Sequence, residues 1–418
     1  MKLALNTPVR KRTAAALFAV CAFLYVGQAS RVAIASWLGS RADLKSLQRA
    51  ASLDSDNADY RDHLGRFYDL VNRDPASAVN DYRAAVQLNP HSARYWFDLA
   101  GAYQVLGDTA NQAVALERAI AADSMTPDVA WEAANLYLVQ GENQKALREF
   151  RVVLANDSSL AATTIQFCWR IDPDVDSLLR DVVPQNADAY IAFLGLLKQQ
   201  QQTEGTFKVW DALIESHQSF EVRYAYDYIH YLILHKEVDE AVKVWQDAVP
   251  RFGLTSYLPA PNNLVINGKF SLDILNAGFD WQYQKQSGVQ LTLDSNDFHA
   301  GRRSMMITFD GPGISDAGIF QYIPVQPNTT YEFSGYYKNG EMEGAGAPHL
   351  TIQDMYSLAI YYDSDELRDA GFWKSAEGEF TTGPDCKLLV LHVRRLPAGS
   401  PIRGKLWIND FHLVRKQS

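Results

Sequence analysis

Residues 78–90 (AVNDYRAAVQLNP), 112–124 (QAVALERAIAADS) and 146–158 (ALREFRVVLANDS) superimpose at a spacing of 34. One station is large in all three: Tyr82, Leu116 and Phe150. Three residues on, Ala85, Ala119 and Val153 are small. Four residues before it stand Ala78, Gln112 and Ala146, and Pro90, Ser124 and Ser158 close the stretches. A period of this length marks stacked helix–turn–helix units, none of which can bury its apolar face alone. The spacing predicts an all-α solenoid, an architecture that offers an extended surface to partners.

The register runs outward from there. Full units fall at 58–90, 92–124 and 126–158, with Leu64-Gly65 and Tyr68 on the first, Trp96, Leu99, Ala100, Tyr103 and Gly107 on the second, and Trp131, Ala134, Tyr137 and Gly141 on the third. Ala85, Ala100, Ala119 and Ala134 let paired helices approach closely, and the glycines end the first helix of each hairpin. Tyr103 to Tyr137 is 34 residues but Tyr68 to Tyr103 is 35, which places one extra residue near Asn72-Arg73-Asp74-Pro75. Trp210 and Trp245 give later units near 187–217 and 221–252, and a shortened unit occupies 161–184. Its Asp172-Pro173-Asp174-Val175-Asp176 reads as a helix start. It is no calcium loop, because Ser177 replaces the required Gly and Val183 the bidentate Glu. Ala51 is 34 before Ala85, so 43–54 reads as a second helix whose partner must come from the N-terminal segment. The skeleton resembles the tetratricopeptide repeat (TPR), which implies a solenoid over 41–258 that binds a protein partner.

That N-terminal segment opens with Arg10, Lys11 and Arg12 before an apolar run from Ala14 to Ala29. Such a pattern is a secretory signal or an anchor. Gly27-Gln28-Ala29 offers a small-x-small cleavage site. Apolar character resumes after Arg31, and 13–38 is long enough to cross roughly 30 Å of hydrocarbon as a helix, with Trp37 at the interface. The expectation is an uncleaved single-pass anchor in the cytoplasmic membrane. Residues 1–12 are then a cytoplasmic tail and the bulk of the chain is periplasmic or otherwise extracytoplasmic.

After Pro259-Ala260-Pro261 the pattern changes to period-2 segments bounded by Gly, Pro and Asn. Tyr331, Phe333 and Tyr337 alternate with Glu332, Ser334, Tyr336 and Lys338; Leu389, Leu391 and Val393 alternate with His392 and Arg394; Trp407, Phe411 and Leu413 are read as one face, with Asp410 and His412 on the other. Further strands are expected near 289–293, 303–309, 317–325, 349–356 and 377–382, about eight in all, as in a jelly-roll sandwich over 262–418. Asn263-Leu264-Val265-Ile266-Asn267-Gly268-Lys269-Phe270, Gly301-Arg302-Arg303-Ser304, Gln321-Tyr322-Ile323-Pro324-Val325 and Leu406-Trp407-Ile408-Asn409-Asp410-Phe411 resemble galactose-binding-like carbohydrate-binding modules. The resemblance implies sugar binding on aromatic platforms; the candidates are Tyr361, Tyr362, Phe372, Trp373, Trp281 and Tyr283. A sugar stacks its C–H face on such rings while neighbouring polar groups take its hydroxyls. Trp281 and Trp407 suit core packing; the two aromatic pairs that flank Asp363–Asp369 are expected on one exposed loop. Many such modules hold a calcium between their first and last strands. Asp410 is the weak candidate here, with Ser271 where an early acid often stands.

The formal net charge of −10 is shared by both halves: residues 262–418 carry 14 Lys+Arg against 18 Asp+Glu, the rest 25 against 31. Neither half is basic, which argues against nucleic acid. Seven basic residues from Lys387 onward against one acid suggest an edge that is either simply solvated or able to dock anionic groups. Cys21, Cys168 and Cys386 suggest no disulfide pair or metal set. There is no Gly-rich phosphate loop, His-Glu-x-x-His, Gly-x-Ser-x-Gly or Cys-x-x-Cys. The expectation is therefore a multidomain, non-enzymatic, cofactor-free membrane-anchored scaffold that binds a protein and possibly a glycan. By analogy with envelope polysaccharide-associated TPR proteins, it would serve cell-envelope or exopolysaccharide assembly. The alternatives are a purely structural interaction module and a glycan-active hydrolase built on a carboxylate pair.

Overall fold

The computed structural model describes residues 8–416. The chain forms two compact units, Met1–Leu196 and Leu197–Ser418.

The first unit opens with α1 (Pro8–Gly39), a 32-residue helix long and apolar enough to cross a membrane or to act as a signal anchor. Its side chains are exposed except at its end, where Ala35 and Leu38 join Leu47, Ala50 and Ala51 of α2 (Leu44–Leu53) and Tyr60 and Leu64 in one cluster. Gly39 lies flat against the Tyr60 ring, and Arg31 donates to the Leu53 carbonyl. The unpaired helix inferred at 43–54 thus finds its partner in α1.

Helical hairpins come next: α3 (Ala58–Arg66) with α4 (Pro75–Leu88), α5 (Ala93–Leu106) with α6 (Thr109–Ala122), and α7 (Pro127–Val139) with α8 (Asn143–Asn156). The 34-residue stations are core positions: Tyr82, Leu116 and Phe150 are buried, as are Ala85, Ala100, Ala119 and Ala134. Trp131 meets Phe150 edge-on at 5.6 Å. Burying such a side chain stabilises by about 1.5–3 kcal/mol. Asp74 and Asp108 cap α4 and α6 by accepting from the Ser77 and Asn111 amides, each at 3.1 Å. Hydrogen bonds from the Ser77 and Asn111 side chains, and then these amide bonds, favour the charged form and hold both carboxyls below the usual range. Gly107 and Gly141 take the left-handed φ (72° and 77°) that ends α5 and comes just after α7.

The extra residue of the first unit does not sit in the turn. It widens the last turn of α3 into a π-helical segment, Phe67–Asn72, which closes on Arg73 at φ 53°. A π-turn absorbs one residue without displacing the next helix. The short unit is α9 (Ala161–Ile171) and α10 (Val175–Asp181), with Asp174 accepting from the Ser177 amide at 2.7 Å as the N-cap. α11 (Ala187–Gln199) carries the division between the units.

In the second unit, α12 (Thr203–Glu215), α13 (Val222–Leu234) and α14 (Val238–Arg251) bury Trp210 and Trp245. Two five-stranded antiparallel sheets then form a β-sandwich. The first has the order β1-β4-β9-β6-β7, from β1 (Gln282–Tyr283), β4 (Asp316–Pro324), β9 (Leu388–Arg395), β6 (Pro348–Asp354) and β7 (Ile360–Asp363). The second has the order β2-β3-β10-β5-β8, from β2 (Val289–Asp294), β3 (Ser304–Gly311), β10 (Ile402–Arg415), β5 (Thr330–Gly344) and β8 (Lys374–Thr381). The core between them includes Phe270, Trp281, Ile307, Phe333, Ile352, Leu391, Leu406 and Phe411.

The opening motif is a clamp on the last strand. Asn263 donates to the Phe411 carbonyl and accepts from the Leu413 amide, both at 3.0 Å. Gly268 sits so close to the Phe411 carbonyl that a Cβ would clash. Buried Asn409 accepts from the His299 and Ala300 amides at 3.0 and 2.7 Å. The expectation that Trp407 shares a face with Phe411 and Leu413 is corrected here. The register of β10 against β5 shifts between Asn409 and His412, where Asp410 takes φ 53°. Leu406 and Ile408 before the bulge and Phe411 and Leu413 after it all enter the core, and Trp407 lies on the outer side, half-buried.

Candidate functional site

The outer side of the first sheet carries a polar–aromatic arrangement. Residues facing away from the core line up in rungs: Phe320, His392 and Thr351, then Tyr322, Val390 and Gln353, with Asp316, Arg394 and His349 beyond. The middle of this face is recessed. Thr351, Val390 and His392 are nearly buried although they point outward, while Phe320, Tyr322, Gln353 and Arg394 beside them are only half-buried. The result is a furrow with Phe320 and Tyr322 on one bank, their rings 5.2 Å apart at 66°.

His392 forms the furrow floor. Its Nδ1 lies 2.7 Å from Asp316 Oδ2, which orients the ring, and its Nε2 is buried without a hydrogen-bond partner. A buried polar atom left unpaired costs about 1–3 kcal/mol. Thr351 Oγ1 donates to Asp363 at 2.7 Å and Arg394 reaches Gln353 at 3.5 Å. Beyond Tyr322 lies a cleft of about 670 Å³ lined by Lys236, Asp354, Tyr356, Tyr361, Cys386 and Lys387. Burial pushes the Cys386 thiol up to about 12, which leaves it a poor nucleophile. Asp239 holds the Lys387 ammonium at 2.6 Å.

The sandwich carries a recognisable sequence signature. Residues 262–397 match the family model of a carbohydrate binding domain, CBM_4_9. Among solved structures, the CBM22-1 xylan-binding domain of Paenibacillus barcinonensis Xyn10C is 17% identical, with 36% of this chain and 93% of that one covered and a TM-score of 0.26. MamA is 19% identical, with 41% and 85% covered and a TM-score of 0.25. Pseudomonas aeruginosa pilF is 14% identical, with 50% and 82% covered and a TM-score of 0.24. No curated protein matches the chain.

The candidate residues read from sequence are scattered over the matched domain. Trp281 is in the core, 1% exposed, with its indole N–H donated to the Asn267 carbonyl. Tyr283 stands at the edge strand β1, 48% exposed. Tyr361 and Tyr362 belong to strand β7, where Tyr361 stacks on Phe380 and accepts from the Gly383 amide at 2.8 Å, and Tyr362 packs on Phe333. Phe372 is 86% exposed, and Trp373 donates to Asp297 at 3.2 Å beside His299. Tyr361 reaches the cleft beyond the furrow; Trp373 belongs to the second sheet's outer side. Phe320, Tyr322 and His392 escaped the reading of the sequence. Their only signal was that they alternate with Ile319, Ile323 and Leu391, which reads equally well as a solvated face.

Asp410 does not fit a calcium ion. Its carboxylate faces His299 Nδ1 at 3.1 Å, His412 Nε2 at 3.0 Å and Lys269 Nζ at 3.9 Å. Calcium needs six to eight oxygen ligands; here, among the described residues, imidazoles and an ammonium surround the carboxylate. Nor do the late basic residues form one edge. Arg395 is buried and donates to the carbonyls of Gly346 at 3.0 Å and Ala345 at 2.8 Å, while Lys416 pairs with Glu379.

Proposed function

We propose that the chain is a membrane-anchored, non-enzymatic adaptor. Its sandwich binds glycan in the furrow of the first sheet, and its helical hairpins hold a protein partner. The observation that carries the reading is the aromatic bank of Phe320 and Tyr322, half-exposed beside the Gln353 amide and the Arg394 guanidinium, with His392 fixed beneath them by Asp316. A pyranose stacked on that bank would offer its hydroxyls to Gln353 and Arg394. The match over residues 262–397 supports sugar as the ligand class. α1 is the anchor in this reading, with the basic N-terminus cytoplasmic and both units outside the cytoplasmic membrane, in envelope or exopolysaccharide assembly. The test is a glycan array probed with the full chain in detergent. Tyr322→Ala and His392→Ala should each weaken the bound glycan at least about tenfold. A wild-type chain that binds no glycan, or variants that bind as the wild type does, would overturn the furrow. N-terminal sequencing of the membrane-extracted protein tests the anchor: a chain beginning after Ala29 would sink it.

A further inference from the structure

The outer side of the second sheet holds a cleft that the furrow does not need. Its volume is about 610 Å³, within the range of small-ligand sites, roughly 300–1,000 Å³. Trp407 forms one wall, Thr308 the floor, and Glu341, Glu343, Arg403 and Lys405 the rim.

Three features make it a built site. The Trp407 ring is held in place: its Nε1 donates to Asp294 Oδ2 at 2.8 Å, and the Lys338 ammonium lies 5.8 Å from the ring centroid. The ring's benzo edge also leans over Gly340, two residues along β5 from its partner Lys338, so no side chain covers it there; an added Cβ would touch it at 3.5 Å. Finally, the rim is aimed by paired irregularities. Arg403 opposes Glu343 and Lys405 opposes Gly340, so Gly404 at φ 123° faces an extra residue on β5, and Glu341 takes φ 48°. A bulge of this kind re-aims side chains beside a site. Among the described residues, none of the four rim charges makes a salt bridge, although two acids and two bases share the rim.

We propose that this cleft is a second saccharide-binding site, on the sheet opposite the furrow and independent of it, for an uncharged oligosaccharide. The chemistry narrows the ligand. An indole face takes the C–H face of a pyranose. Carboxylates accept from hydroxyls, and guanidinium and ammonium groups donate to them. Balanced rim charges favour a neutral, hydroxyl-rich ligand, because any net charge is drawn to half the rim and repelled by the other half.

The experiment uses the full chain in detergent with the furrow disabled by Tyr322→Ala together with His392→Ala. It is titrated calorimetrically with neutral xylo-, cello-, manno- and laminari-oligosaccharides. Residual binding at one site per chain is expected, weakened at least about tenfold by Gly340→Leu, which covers the ring without removing it, and by Glu343→Ala with Arg403→Ala. Circular dichroism identifies any variant that fails to fold. No residual binding to any of the four series, or residual binding that Gly340→Leu leaves unchanged, overturns the cleft. Failure of the furrow reads differently: the disabled chain then binds as the wild type does.

Discussion

One extra residue in α3 and one extra residue in β10 have opposite consequences. In the helix, the π-turn Phe67–Asn72 takes up the insertion, and Tyr82 and Ala85 still reach the core of their hairpin. In the strand, the bulge at Asp410 inverts which side chains face inward, so that Trp407 leaves the core side while Phe411 and Leu413 enter it. A helix distributes a one-residue slip as a modest rotation of its face; a strand, with period two, exchanges its faces outright. Helical repeats therefore tolerate drift in their spacing, whereas the sandwich depends on each irregularity being in place.

Inserting one alanine between Asp410 and Phe411 gives the sharpest test of that contrast. Phe411 and Leu413 would be turned out of the core, and the sandwich should lose on the order of 5 kcal/mol or its fold altogether, read by near-ultraviolet circular dichroism and thermal unfolding. An insertion mutant that melts like the wild type would break the comparison. Phe150→Ala calibrates the helical side: about 3–5 kcal/mol should be lost there by chemical denaturation, a side-chain loss that leaves the register intact. Asp280 supplies a pH test confined to the second unit. Burial raises its carboxyl to about 7, against backbone N–H bonds that pull it down. The folded chain therefore holds a proton that the unfolded chain releases from about pH 4 upward. Through Asp280, stability should fall as pH rises between 4 and 7, by on the order of 4 kcal/mol. Asp280→Asn should abolish that fall in urea titrations; a slope that persists assigns it elsewhere. Deleting Asn72 should cost the helical unit only about 1 kcal/mol, since the π-turn relaxes to an ordinary one. The smallest effect concerns metal: excess EDTA should leave the Tm unchanged, because Lys269, His299 and His412 already surround Asp410. A drop in Tm that calcium restores would refute this.

The sequence carried the helical architecture well because each station repeats. Tyr82, Leu116 and Phe150 confirm one another, and the shortened unit and the unpaired helix at 43–54 emerge by subtraction. Strand positions were legible wherever alternation ran unbroken, as in Leu389, Leu391 and Val393. It failed at β10, where no local residue announces the bulge: Asp410 adopts a left-handed φ that a glycine would have signalled. β7 was missed because its Tyr361 and Tyr362 are both partly buried, which erases alternation. The furrow was the least legible part. His392 becomes informative only through a bond to Asp316, 76 residues away, and an unpaired nitrogen leaves no mark in a sequence.

The seamless passage of α1 into the first hairpin has a mechanical meaning. With Gly39 pressed on Tyr60 and Arg31 bound to Leu53, the 32-residue helix has no swivel where it meets α2. At 1.5 Å per residue it is a shaft about 48 Å long. Tilt or torque at one end of such a shaft reaches the first hairpin undamped, so whatever grips α1 also sets the heading of Tyr60 and Leu64.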